Sequence, residues 1–371
     1  MKVLMQSRRN FFCLSGGDTI QLTKTKKELE KLGVKIDLST ELEPDLYKYD
    51  FIHLSNLTRI QETYIQAKNA VKQNKKFVLS TIYWPMEEFE KEGQRGLRKI
   101  VNSILSLNNL ERVKAIVKII KNKEERHKGN IAVIFRGYKA MQKYVVNNAS
   151  LFLPNSYIEF EMMKKHICPI DDDKCIIVPN AIDKEFAKES LNAVSNDFEE
   201  FKDYIICVGR IEPRKNQLAL VKALDNTNYK LLLVGQVSDN QKKYYEEIKP
   251  YLEKNNFVHI KKVDNYQLYN LFKVCKVSVL PSWLDTPGLV SLEAGAMGCN
   301  LVVSDRGSTE EYFKDHAEYC QPDDLRSIKK AIDSAYQKEN DSELQKLIFE
   351  KYTWKEAGEV TYKAYKMIMN I

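Results

Sequence analysis

The sequence predicts an α/β protein made of two doubly wound, parallel-sheet domains, and three observations lead there. Short apolar runs alternate with stretches of helical periodicity along the whole chain, the pattern of a parallel sheet covered on both faces. That rhythm restarts at Tyr204-Ile205-Ile206-Cys207-Val208-Gly209, after a polar, acid-rich stretch over 184–202 that reads as a linker. And 371 residues exceed what one hydrophobic core usually organises, so two domains of about 150 to 200 residues are expected. The expected boundaries are 1–190 and 200–352 for two Rossmann-like domains facing across a cleft, with 353–371 a C-terminal helix able to cross back to the first domain.

The elements follow in order. The run 1–5 is a first strand, and Ser15-Gly16-Gly17-Asp18-Thr19 opens a helical stretch over 20–32 that stops at Gly33. The alternation of 34–38 then completes strand, glycine loop, helix, strand. Further strands are expected at 51–54, 77–80, 151–154 and 175–179 in the first half, and at 204–209, 231–235, 257–260, 277–280 and 301–304 in the second. Apolar residues at Leu97, Ile100, Val101, Ile104, Leu105, Val113, Ile116, Val117 and Ile120 predict one helix over 97–121. The favoured reading sets its apolar face on the core. The alternative lays it in a membrane interface.

Composition excludes several classes. With 43% hydrophobic and 29% charged residues, the chain is neither disordered nor of low complexity. The opening Met1-Lys2-Val3-Leu4-Met5 is too short for a signal peptide, and no apolar run reaches membrane-spanning length, so a soluble, cytoplasmic protein is expected. The seven Cys are scattered without ligand spacing, and His53, His127, His166, His259 and His316 are isolated. Neither a disulfide framework nor a metal site is therefore expected. Asp171-Asp172-Asp173 reads as a solvated loop. The net charge of +7 gathers in Arg95, Arg98, Lys99, Arg112, Lys114, Lys118, Lys121, Lys123, Arg126 and Lys128. No nucleic-acid-binding signature accompanies it, which leaves weak association with an anionic membrane surface or a phosphate-bearing substrate.

Two windows carry chemistry. In Pro281-Ser282-Trp283-Leu284-Asp285-Thr286-Pro287-Gly288-Leu289-Val290-Ser291-Leu292-Glu293, Thr286 suits an N-cap and Pro287 the first helical position, so a helix should start there with its free amides facing a ligand. Asp285 and Glu293 bracket that start, and carboxylates accept bonds from sugar hydroxyls. The plainer reading is a capped core helix. The second window, Val208-Gly209-Arg210-Ile211-Glu212-Pro213-Arg214-Lys215-Asn216, sets cations at a strand exit, where open parallel sheets bind ligands. Its plainer reading is a solvated basic turn.

Together these windows resemble the family 4 glycosyltransferases, the retaining group with the GT-B fold. The likeness covers most of the C-terminal half: Val208-Gly209-Arg210 with Lys215-Asn216, Leu233-Val234-Gly235, Pro281-Ser282, Asp285 with Glu293 eight positions later, and Glu310. Pro179-Asn180-Ala181-Ile182-Asp183 is similar to the family's Pro-Asn-Gly-(Val/Ile)-Asp turn. The resemblance implies a nucleotide-diphosphate-sugar donor held in the second domain, with Arg210 and Lys215 on the pyrophosphate, Glu293 on the ribose and Asp285 on the transferred sugar. Gly288, Leu289 and Val290 match backbone donor contacts, and Gly16 and Gly17 match the glycine loop of the first domain. It further implies transfer with retention to a saccharide or lipid-linked acceptor in cell-surface polysaccharide or glycolipid synthesis, with no metal or other cofactor.

Three departures stand out. Asp285 is one methylene shorter than the family's Glu, Ala181 replaces Gly, and Thr81-Ile82-Tyr83-Trp84 lacks the His that many members carry there. Two other readings stay open: another enzyme on this fold, such as a nucleotide-sugar epimerase or phosphorylase, and a non-catalytic nucleotide-sugar-binding subunit.

Overall fold

The computed structural model describes every residue except Leu14, Ser15, Arg95, Leu97, Arg98, Ile100, Val101, Ser103, 194–196, Asn256 and Ile371. The chain forms two units. The first comprises Met1–Lys91, Arg95–Pro179 and Trp354–Ile371, the second Asn180–Thr353 with Glu92–Gln94.

The first unit is a five-stranded sheet in the order β2-β1-β3-β4-β5, from β1 (Lys2–Gln6), β2 (Lys35–Ser39), β3 (Phe51–Ser55), β4 (Phe77–Ser80) and β5 (Leu151–Leu153). All its pairings are parallel. The strands β3, β4 and β5 are buried along their whole length, which is why they read as largely apolar runs rather than as alternation. The helix Trp354–Met369 packs against the helix Gly17–Lys31 of this unit. Its Tyr365 Oη lies 2.6 Å from His53 Nδ1, while Ser80 Oγ lies 2.8 Å from His53 Nε2. The buried imidazole is thereby partnered on both nitrogens, as a buried polar ring requires.

The second unit is a six-stranded parallel sheet in the order β11-β10-β9-β6-β7-β8. Its strands are β6 (Ile205–Val208), β7 (Leu231–Val234), β8 (Val258–Ile260), β9 (Val277–Leu280), β10 (Asn300–Ser304) and β11 (Ala317–Cys320). Two apolar clusters cover its faces, one including Ile206, Leu232, Phe272 and Leu292, the other Ile205, Leu233, Val279 and Ile332. Each fully buried aliphatic side chain of this kind contributes about 1.5–3 kcal/mol. Read from β6, the strand order is that of the doubly wound fold whose direction of winding reverses once. The reversal falls between β6 and β9 here, and between β1 and β3 in the first unit.

Several expectations are corrected. The segment 175–179 is not a strand: it makes a single bridge, Phe152 to Cys175, then bonds Ile176 N to Phe152 O and Val178 N to Pro154 O before Pro179, which has no N–H to continue. The polar stretch 184–202 is no linker. It holds the helix Lys184–Asn192, with Ala187 and Ser190 buried, and Phe201 is buried in the core of the second unit. The chain instead enters that unit at Asn180, whose N–H donates to Tyr312 Oη at 2.8 Å. The single helix expected over 97–121 is interrupted at Leu105 and Ser106, and Ser106 caps Leu107–Lys121 through Asn109 N. The apolar positions Leu97, Ile100 and Val101 lie outside the described residues, as do the cations Arg95 and Arg98.

Candidate active site

The reversal between β6 and β9 leaves a crevice outside the carboxyl ends of these two strands, the place where doubly wound sheets take ligands. Both expected windows exit there. After β6, Gly209 and Arg210 lead into a 3₁₀ turn at Pro213–Lys215, and Asn216 takes a left-handed φ of 60° before the helix Gln217–Ala223. After β9 comes the loop 281–288, then the helix Leu289–Ala296.

The two loops are held together by bonds to backbone carbonyls. Asn216 Nδ2 donates to Pro281 O at 3.1 Å and Pro322 O at 2.7 Å. Trp283 N donates to Arg214 O at 2.9 Å, and Arg214 Nη1 to Leu284 O at 2.9 Å. At the centre, Lys215 Nζ reaches both carboxylate oxygens of Asp285, at 2.8 and 2.9 Å, and Arg214 Nη1 stands 3.7 Å from Oδ1. Burial would raise the Asp285 carboxyl, but the Lys215 and Arg214 charges outweigh it and hold it below its ordinary value. The Lys215 ammonium is itself lowered, burial prevailing over the attraction of Asp285.

Arg210 behaves differently. It is exposed and, among the described residues, has no carboxylate partner. Of the two cations the sequence singled out, Arg210 is open to solvent and Lys215 is engaged by Asp285.

The helix begins later than expected, at Leu289, with Gly288 rather than Thr286 as its N-cap. Gly288 has φ 92°, outside the helical range, so Pro287 cannot be the first helical residue. A Cβ on Gly288 would stand 3.0 Å from Leu280 Cδ2 and 3.6 Å from Asp285 Cβ, so only glycine fits both the angle and the space. The amides of Leu289 and Val290, in the helix's first turn, have no intrahelical acceptor and carry the positive end of its dipole. Glu293 lies on the same helix, half-buried. Beside it the Tyr269 phenol is pushed up, chiefly by burial and then by the Glu293 charge.

Gly16 and Gly17 belong to the first unit, at its own strand-order reversal. Gly16 caps the helix Gly17–Lys31. The mouth of that helix is filled by Asp18, which receives Arg8 Nε at 2.6 Å and Nη2 at 3.1 Å. Ser15 of the same motif lies outside the described residues. Of the Tyr83-Trp84 pair, Tyr83 is buried and Trp84 half-buried. Just before them Ile82 takes φ 40°, a strained value for a β-branched residue.

Sequence reasoning did not single out Arg214, Asn216 or Asn180 as site-shaping residues. Asn180 Nδ2 donates to Thr286 O at 2.7 Å, so the Pro-Asn turn buttresses the Asp285 loop. The signal was present, since all three stand inside motifs already marked. In the Asp171-Asp172-Asp173 loop, Asp172 pairs with Lys164 at 2.7 Å and Asp171 with Lys174 at 3.4 Å. No group of three His, Cys, Asp or Glu able to hold a metal occurs among the described residues. No helix among them is long and apolar enough to cross a membrane. A polar cavity of about 550 Å³, lined by Asp203, Asn270, Lys273, Lys276 and Lys338 among others, borders the starts of β6 and β9, away from these loops.

Residues 189–352 match the model of the family described as Glycosyl transferases group 1. The uncharacterized glycosyltransferase MJ1607 of Methanocaldococcus jannaschii is 27% identical over 231 residues, 56% of this chain and 59% of that protein. The serotype-specific mannosyltransferase WbdA of Escherichia coli is 24% identical over 179 residues, 45% of this chain and 22% of that protein. The chain thus spans less than two thirds of either relative. Among solved structures, sucrose-phosphate synthase of Thermosynechococcus elongatus superposes with a TM-score of 0.73 at 14% identity, covering 100% of this chain and 99% of that one. Anabaena Alr3699/HepE in complex with UDP-glucose gives 0.66 at 13% identity, covering 100% of both. These likenesses show the fold, α/β of the GT-B kind.

Proposed function

We propose that this chain is a retaining glycosyltransferase of the family 4 type, moving a sugar from a nucleotide-diphosphate-sugar to a hydroxyl of a saccharide or lipid-linked acceptor in cell-surface polysaccharide or glycolipid synthesis. The observation that carries the reading is the convergence, at the β6/β9 reversal, of Arg210, Lys215 and a helix start on one crevice beside Asp285. It falls within the stretch that matches group 1 glycosyl transferases.

In this reading Arg210, Lys215 and the amides at Gly288, Leu289 and Val290 hold the donor diphosphate, Glu293 accepts from the ribose hydroxyls, and Asp285 accepts from hydroxyls of the sugar. The bond from the anomeric carbon to the phosphate oxygen breaks as the bond to the acceptor oxygen forms. The acceptor proton passes to the departing diphosphate, and no metal ion takes part. Because Lys215 is engaged by Asp285, the diphosphate must draw the ammonium away, leaving the carboxylate free for the sugar. Fixed donors aimed at growing charge each contribute about 2.7–4 kcal/mol to such a step.

The same pairing favours one second reading, a subunit that binds nucleotide sugar without turning it over, since Lys215 and Asp285 satisfy one another. Incubation with a panel of nucleotide sugars, UDP-glucose first because the Anabaena protein binds it, separates the two. Transfer or slow donor hydrolysis, with the product anomer read by proton NMR, supports the enzyme. Donor binding without turnover supports the second reading. An inverted product anomer would remove the retaining assignment, and sugar isomerisation or phosphorolysis would replace it with an epimerase or a phosphorylase.

A further inference from the structure

We infer that the helix Leu107–Lys121, with the turn that follows it, is a docking surface for an anionic lipid bilayer. Val113, Ile116, Val117 and Ile120 stand at i, i+3, i+4 and i+7, a single stripe. The structure turns that stripe outward: these side chains are 44%, 42%, 41% and 69% exposed, whereas Leu110 and Ala115 are the helix's buried residues. The sequence pattern favoured a face laid on the core, and the fold places it the other way. Single exposed aliphatics are ordinary on a protein surface, but a continuous stripe of branched ones marks a contact surface.

Charge identifies the occupant. Lys118, Lys121, Lys123 and Arg126 surround the C-terminal end of the stripe, all exposed and, among the described residues, without a carboxylate partner. Arg126 Nε donates to Ile119 O at 3.0 Å, which folds this cation back beside the stripe, and Arg9 Nη1 donates to Glu124 O at 2.6 Å, adding another at the same end. Lys114 and Lys128 differ: Lys114 bonds Glu90 at 2.6 Å and Glu111 at 2.9 Å, and Lys128 pairs with Glu43, so both serve the fold. An apolar stripe ending in Lys118, Lys121, Lys123 and Arg126, which outnumber the turn's acids Glu124 and Glu125, matches a bilayer interface, where branched side chains enter the acyl boundary and lysine stems extend to lipid phosphates. A second copy of the chain would bring the same cations against like charge.

The test is sedimentation of the full chain with vesicles of phosphatidylcholine alone or mixed with phosphatidylglycerol, at low and high salt. The protein should pellet with the anionic vesicles at low salt, leave them at high salt and ignore the neutral ones. Lys118→Gln and Lys121→Gln should each weaken binding about fivefold. Ile116→Ser and Ile120→Ser should weaken it without lowering the melting temperature, because their side chains are exposed. Lys128→Gln should leave it unchanged. No pelleting at low salt, equal binding to both vesicle types, or indifference to these substitutions would overturn the inference. So would a dimer that Ile116→Ser dissociates in a protein that ignores vesicles, which would assign the stripe to a second copy.

Discussion

Lys215 Nζ lies 2.8 Å and 2.9 Å from the two carboxylate oxygens of Asp285, a residue 70 positions further along the chain. Their side chains are only 12% and 11% exposed. The pair closes the two loops of the β6/β9 crevice over one another, so each member has a structural role alongside the catalytic one proposed for it.

Lys215→Ala and Arg210→Ala should therefore differ in stability while agreeing in activity. Removing one partner of a largely buried pair leaves the other charge uncompensated and costs on the order of 3 kcal/mol. Arg210, exposed and without a carboxylate partner among the described residues, should stay within about 0.5 kcal/mol of wild type. Both should lower turnover by about a hundredfold or more. Calorimetry beside a transfer assay checks this, and equal melting temperatures in the two variants would contradict the buried-pair argument.

The two carboxylates should separate in binding. Glu293→Gln is expected to weaken the nucleoside diphosphate and the donor alike. Asp285→Asn should abolish transfer yet leave diphosphate affinity unchanged or tighter, because Lys215 is then released from its partner. Titration calorimetry with the free nucleoside diphosphate decides the matter: parallel losses would place Asp285 on the nucleotide.

Gly307 and Gly298 share φ 95° but not surroundings. A Cβ on Gly307 would fall 1.8 Å from the Asp285 carbonyl oxygen, whereas on Gly298 its nearest contact is Asn340 Nδ2 at 3.6 Å. Gly298→Ala should cost only the strain of a left-handed residue, about 1–2 kcal/mol. Gly307→Ala must also displace the Asp285 loop, so it should cost more and lower transfer disproportionately. Denaturant melts of both variants test the difference, and similar losses would mean that the loop gives way easily.

Much of this was legible beforehand, for physical reasons. Strands buried on both faces are largely apolar runs, so β3, β4, β6, β7 and β9 stand out in the sequence. The carboxyl edge of a doubly wound sheet then predicts where the Arg210 and Asp285 windows meet. The engagement of Lys215 by Asp285 was not legible, since nothing local records which side chain faces another across two loops. Nor was β11, whose short Ala317-Glu318-Tyr319-Cys320 run lies at the sheet's edge with a charge inside it. The stripe on Leu107–Lys121 shows a further limit: periodicity establishes that a helix has an apolar face, but not whether the fold covers it.

His53 should make the protein acid-sensitive at unusually mild pH. It is buried between Ser80 and the Tyr365 hydroxyl, and burial lowers its folded-state pKa to about 3, against 6.5 when solvated. Below pH 6.5 the unfolded chain takes up a proton that the folded imidazole refuses, so stability falls as pH falls, by about 1.4 kcal/mol per unit. Between pH 6.5 and 5 the loss should reach about 1.6 kcal/mol, before the lowered carboxyls of Asp18 and Asp285 begin to protonate. His127 adds to the slope, since burial lowers it too. The comparison must therefore be wild type with His53→Gln, whose amide can still donate and accept. Chemical denaturation across that pH range should give the variant a shallower slope at a lower stability near neutrality; identical slopes would mean that the folded protein admits the proton at His53 after all.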